Sequence, residues 1–328
     1  MFRKRIAFLF LALSTLSLHG DEPSALKLAK IIPLSGVTGR FDHFALDIKG
    51  HRLFVAALGN NTLEAIDLRE GKRIQSIPGL GKPTGVLFLP NLNRLFAACG
   101  DDGNLRLFNA DTFRLLKTIS GLSDADNVRF EANTELIYLG YGAGALAMIR
   151  AATAETIGNI KLAGHPESFQ LEKNGVRIFV NVPDAKHIAV VNRERRAVVE
   201  TWPMEEFQAN FPMALDEKNR RLFVGCRNPA RLVVLDAATG KKVADIAISG
   251  DIDDLFFDAV KSRLYAACGE GFVDVIDQQG ADRYERRERI ATAPGARTAY
   301  FSPERNEFYV AVPDRGAQKA EIRVFNVR

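Results

Sequence analysis

Cysteine is scarce in this chain, with three in 328 residues, and none lies in a CxxC or CxxCH arrangement. That excludes a covalent haem attachment site and the common zinc-thiolate spacings. No HExxH segment offers a zinc site, and no GxSxG segment offers a serine nucleophile. After the first twenty residues no stretch keeps a helical period. Apolar and β-branched residues come instead in short runs punctuated by Gly, Asn and Asp, as strands and hairpins require.

Charge of one sign is also lacking once the leader is set aside. "MFRKR" is basic, "IAFLFLALSTLSL" is apolar but short for a bilayer span, and polar "HGDEP" follows. This is the layout of a secretory signal, with cleavage expected after Gly20. No cysteine follows the apolar stretch, so a lipid anchor is not expected. Residues 21–328 are read as one exported domain, periplasmic or secreted, with no membrane span. They carry 41 basic and 40 acidic residues, so the overall charge does not favour nucleic acid as a partner. The dense basic runs "RERR" (193–196) and "YERRER" (284–289) are read as solvated outer hairpins.

What the chain does have is a repeat. An Arg-Leu-aromatic triplet, or a close variant of it, recurs with its aromatic at Phe54, Phe96, Tyr138, Phe179, Phe223, Tyr265 and Tyr309, in steps of 41 to 44 residues. Seven units of this length suit the four-stranded blades of a β-propeller. The seventh unit stops after its third strand, "AEIRVFNVR". The orphan N-terminal strand "ALKLAKIIPL" resembles the fourth strand of other units. The expected fold is therefore all-β: a seven-bladed propeller whose N-terminal strand completes the last blade and leaves no open edge. Cys99, Cys226 and Cys268 share one repeat position, occupied in three other units by Ala57, Val182 and Val312. They are expected to be buried packing residues.

The segments "RLFVAALGNNTLEAIDLREGKRI" and "RLFVGCRNPARLVVLDAATGKKV", with the period and the leader, resemble the YVTN-type (YncE-like) exported propeller family over residues 24–328. The resemblance implies fold strongly and activity weakly, because such propellers serve as binding modules, redox-partner subunits and occasionally enzymes. The streptogramin-lyase family is similar in period, but no motif of it matches residue by residue. A quinone cofactor is not expected, because Trp202 is the sole tryptophan. No haem is expected either.

Strand alternation divides the loops between two faces. Loops on the lower face, such as "DIKGHR" and "DEKNRR", are interchangeable polar turns. The upper loops entering each innermost strand differ in every blade: "GRFDHF", "GKPTGV", "SDADNV", "GHPESF", "ANFPMA", "GDIDDL" and "GARTAY". Aligning them places His43, Gly85, Asn127, Ser168, Pro212, Asp254 and Thr298 at one level. Asp42, Thr84, Asp126, Glu167, Phe211, Asp253 and Arg297 come just before. These fourteen positions should ring the upper mouth of the axial channel, with His165 and Arg40 nearby. Phe211 and Met213 are read as wall lining, and His187 as a surface residue of an upper loop.

The candidate ligand-binding residues are thus Asp42, His43, Asp126, Asn127, His165, Glu167, Asp253, Asp254 and Arg297. Carboxylates beside imidazole suit a divalent metal, with His43, Asp253 and Asp254 as candidate ligands. Crowded carboxylates also suit general acid–base chemistry, with His43, Glu167 and Asp254 as candidate catalytic groups. Arg297 would then hold an anionic group of the ligand. A structural ion pair between Arg297 and the Asp253–Asp254 segment is the competing explanation. Three functions follow in order: an exported module binding a small polar or anionic ligand or a periplasmic protein, a metal-assisted lyase or hydrolase, and a nucleic-acid-binding propeller.

Overall fold

A computed structural model describes residues 23–328. The proposed signal segment, residues 1–20, lies outside the described residues. Seven four-stranded antiparallel sheets follow one another along the chain. The innermost strands are Phe44–Asp47, Pro83–Leu89, Val128–Glu131, Phe169–Leu171, Gln208–Asp216, Ile252–Asp258 and Thr298–Ser302. Each inner strand touches the next, and the seventh touches the first, so the ring closes. Blade seven takes its outer strand from the N-terminal side: Leu26–Pro33 pairs antiparallel with Glu321–Val327, from Leu26 opposite Val327 to Pro33 opposite Glu321. The expected seven-bladed propeller and its closing strand are both present. Among the described residues no helix is long and apolar enough to cross a membrane.

The triplet strand explains why the repeat packs. In Arg52–Ala57, alternate side chains point to opposite sheet faces. Leu53, Val55 and Ala57 pack on blade seven beside Tyr309 and Ile322. Phe54 and Ala56 pack on blade two beside Leu95, Ala97 and Cys99. One such apolar cluster fills every blade-to-blade interface, so the core is a ring of seven wedges around the channel. All three cysteines are free and buried in these wedges, as expected.

Several arginines of the basic runs are tied down, while Arg195 and Arg196 are exposed. Arg193 pairs with Glu131 and donates to the Glu172 and Gly175 carbonyls. Arg287 bonds Asp277 at 3.2 Å and Arg289 bonds Asp274 at 3.2 Å across the long hairpin Phe272–Gly280/Arg283–Ala291. His187 is half-buried and opens the strand His187–Asn192 instead of lying in a loop.

Candidate functional site

The inner strands reach the upper rim through a repeated irregularity. In blade one the Asp42 N–H donates to the Ala56 carbonyl at 2.8 Å, while the Ala56 N–H donates to the His43 carbonyl at 3.0 Å. Asp126–Asn127 stand opposite Gly140 in the same way, and Glu167–Ser168 opposite Asn181. Register shifts put Thr84–Gly85 opposite Ala98, Phe211–Pro212 opposite Gly225, and Asp253–Asp254 opposite Ala267. Six blades therefore carry a bulge of two residues against one at the predicted positions. A bulge breaks the strict alternation of side chains and re-aims them. It is how two successive residues can both serve the mouth.

The mouth is a cavity of about 250 Å³. Eleven of its fifteen lining residues are from the fourteen predicted positions: Asp42, His43, Thr84, Asp126, Asn127, Glu167, Ser168, Phe211, Asp253, Asp254 and Arg297. His165 and Arg40, expected nearby, line it too; Asp124 and Arg227 are new. Gly85 and Pro212 line the adjoining channel instead, and Thr298 is buried with its hydroxyl donating to the Phe41 carbonyl at 3.1 Å. The channel, about 620 Å³, has walls of Leu46, Val86, Phe88, Phe130, Met213 and Phe256. His43, Ser168 and Asp254 face both spaces, so the polar mouth opens into a throat where Arg129, Gln170 and Lys173 stand beside these apolar side chains.

His43 of blade one is the meeting point. Its Nε2 lies 3.6 Å from Asp42 Oδ1 and 3.9 Å from Asp126 Oδ1, and its Nδ1 lies 3.9 Å from Asp254 Oδ1. None of these is a hydrogen bond, which would need about 2.7–3.2 Å. Burial, reinforced by the nearby Arg129 guanidinium, pushes the imidazole down to about 4, so it is neutral at physiological pH. Burial pushes Asp42 up to about 6 against the pull of Arg40 and Arg297. Glu167 is pushed up to about 8 by burial and the charges of Asp253 and Asp42. Asp126 and Asp254 are also raised well above the usual carboxylate range, first by burial and then by neighbouring acids. Each of these carboxyls is thereby biased towards its neutral form.

Asp253 and Arg297 are differently placed. Asp253 pairs with Arg227 and lies 3.1 Å from Arg297 Nε, while Arg297 Nη1 bonds Asp251 Oδ1 at 2.6 Å. Asp253 thus sits in the ion-paired network that was the competing explanation. Asp254 Oδ2 accepts the Ala299 N–H at 2.8 Å, tying blade six to blade seven. Two groups of three donor atoms, each within 4.8 Å of one another, are present among the described residues: Asp42–His43–Asp126 and Asp126–His165–Glu167. The geometry groups His43 with Asp42 and Asp126, and not with Asp253.

Arg227 and Arg129 were missed, though the repeat marks both. The position of Arg227, four after the aromatic, is Leu58, Gly100, Gly142, Pro183, Gly269 or Pro313 elsewhere. Arg227 stacks 4.1 Å above the Phe211 ring. Arg129 is the one charged residue at an inner-strand position held elsewhere by Ala45, Leu87, Gln170, Ala214, Phe256 and Tyr300. Its guanidinium bonds the Val128 carbonyl at 2.9 Å and Asn127 Oδ1 at 3.3 Å.

The chain is similar in fold to a chain in a crystal structure of the mitotic checkpoint complex, with a TM-score of 0.77 and 12% identity over 100% of this chain and 99% of that one. It is also similar to a chain of Kuenenia stuttgartiensis hydrazine synthase, with a TM-score of 0.73 and 14% identity over 85% and 95%. At such identities the likeness shows a propeller and nothing of activity. No family model and no curated protein matches the sequence.

Proposed function

We propose that this chain is an exported YVTN-type propeller that binds a small polar or anionic ligand at its upper mouth through a divalent cation. The carrying observation is the set of gaps around His43. A neutral imidazole nitrogen stands 3.6–3.9 Å from carboxylates on blades one and three, and its other nitrogen 3.9 Å from one on blade six. These gaps are too wide for hydrogen bonds, yet close to the spacing of donors around one ion. Metal–ligand bonds of about 2.1 Å at tetrahedral angles place donors roughly 3.4 Å apart. Imidazole with carboxylates suits zinc, manganese or iron(II). Among the described residues Arg129 forms no ion pair; its guanidinium bonds the Val128 carbonyl and Asn127 Oδ1, and its remaining N–H groups would take an anionic group of the ligand at the throat.

The test is calorimetry with Zn²⁺ and Mn²⁺ on chelator-treated protein. Wild type should bind, and His43→Ala should bind at least about tenfold more weakly. Absence of binding heat and of retained metal in wild type would end the proposal.

A metal-assisted lyase or hydrolase at the same mouth is the second reading, favoured by Glu167. That carboxyl is held near 8 and makes no hydrogen bond or ion pair, as a general acid–base group requires. His43 would be a ligand and Asp254, fixed by the Ala299 amide, an orienting group. Turnover in a screen of esters and uronates, lost in Glu167→Gln with metal retained, distinguishes this reading from simple binding. For nucleic acid no observation speaks: Arg193, Arg287 and Arg289 are engaged by acids and carbonyls of their own neighbourhood, and the exposed Arg195 and Arg196 form no patch with them.

A further inference from the structure

Asp126 belongs to both donor groups at the mouth. We propose that the mouth holds two divalent cations bridged by the Asp126 carboxylate, the first with Asp42 and His43, the second with His165 and Glu167. The inference rests on the cation reading above and specifies its stoichiometry. The two groups have the same composition, one imidazole and two carboxylates. A carboxylate shared between two ions is the usual core of a two-metal site.

The second half of the site carries its own signs of a missing partner. The Gly142 carbonyl lies 2.8 Å from His165 Nδ1, which makes that nitrogen the protonated one. The lone pair is then on Nε2, which has no protein partner. Metal-bound histidines are oriented by this kind of bond from the far nitrogen to a backbone carbonyl. Glu167, next in space, makes no side-chain hydrogen bond or ion pair. The Ser168 hydroxyl faces the cavity, is only 8% exposed, and likewise has no partner. Both line the open cavity, where an ion with its bound water would supply the partner that each lacks.

Neighbouring cations do not fill the role. Arg227 and Arg297 are committed to Asp253 and Asp251. Arg40 is half-exposed and lies 3.6 Å from Asp42. Among the described residues no guanidinium pairs with Asp126 directly: beside it are His43 at 3.9 Å and the Asn127 amide at 3.3 Å, with the Arg129 charge farther off. A carboxyl without a directly bonded cation is thus the one that would bridge.

The experiment loads chelator-treated full-length protein with Mn²⁺, removes excess, and measures metal per chain together with the low-temperature electron paramagnetic resonance spectrum. Two ions per chain with a spin-coupled spectrum are expected. His165→Ala and Glu167→Gln should each leave one ion and an uncoupled spectrum, with an unchanged thermal melt of the metal-free protein. One ion per chain in wild type, indifferent to His165→Ala, overturns the second site and leaves the first standing. No ion at all in wild type overturns the cation reading itself. The wild-type count decides even if a variant fails to fold.

Discussion

Cys99 is buried in the wedge between blades one and two, its thiol 3.8 Å from the Ala97 carbonyl, and burial pushes it up to about 11. Burial likewise pushes Cys226 up to about 12 and Cys268 higher still. In an unfolded chain each would ionise near about 8.5. A raised acid pKa means that folding favours the neutral form. The stabilisation is therefore complete below about 8.5 and is lost as pH rises through the folded values. Tyr138, Tyr265 and Tyr284, each pushed up to about 12 chiefly by burial, add the same trend above about 10. Urea midpoints should accordingly fall steadily beyond pH 9, continuing the decline towards pH 8 that Glu167, held at about 8, contributes as the folded protein loses that proton. A thiol reagent at pH 8 should label none of the three cysteines in native protein and all three in denaturant. Labelling of native protein would contradict the packing role. That role was legible because three cysteines share one repeat position with valine and alanine. Arg227 and Arg129 were legible by the same comparison, since each is the only charged residue at its repeat position, but only when strand-interior positions are compared as carefully as loops.

At the scale of the strand, the two-against-one bulge turns a loop motif into a site. Its sequence trace is the residue two after each triplet aromatic: Ala56, Ala98, Gly140, Asn181, Gly225, Ala267 and Ala311. A small side chain opposite the bulge lets the next blade approach. Asn181 departs from this, and its amide ties blade four to the Phe211 carbonyl at 2.9 Å. Gly85 shows how tight the approach is, since a Cβ there would lie 2.2 Å from the Asp126 carbonyl oxygen. Gly85→Ala should destabilise the fold by about 1–3 kcal/mol. Because the displaced atom belongs to Asp126, it should also weaken cation binding, whereas an alanine at exposed Gly280, with open space around it, should leave binding unchanged. Paired melts and Mn²⁺ titrations of the two variants check this. The fourteen mouth positions could be listed from the alignment alone. The pairings among them could not, because His43, Asp126 and Asp254 lie on blades one, three and six and meet only across the mouth. Nor could the alignment show that Asp253 is taken by two guanidiniums, one of which projects from a neighbouring strand.

For the whole molecule the question is what holds seven wedges in a closed ring. The strand Leu26–Pro33 answers it, because it pairs with Glu321–Val327 and so joins the two ends of the chain in one blade. Its flanks reach further. The Ser24 hydroxyl and the Ala25 amide both donate to Glu288 of blade six, at 2.7 and 2.8 Å, and Lys30 Nζ donates to the Leu68 carbonyl of blade one at 3.0 Å. Leu26, Ile32 and Leu34 are buried in the wedges on either side of blade seven. At about 1.5–3 kcal/mol for each large apolar side chain, these three alone approach the roughly 5–15 kcal/mol of net stability that a folded domain has. Deleting residues up to Ser35 also strips the edge of Glu321–Val327, leaving unpaired backbone groups open to another chain. The truncated protein should therefore lose its cooperative melt or self-associate, as seen by calorimetry and size-exclusion chromatography. A chain shortened only to Pro23 keeps every one of these contacts and should behave as the full ring does. Because the mouth exists only where all seven inner strands converge, the deletion should abolish cation binding more than 30 residues along the chain from Asp126. The same loss would not follow if each blade carried its part of the site independently.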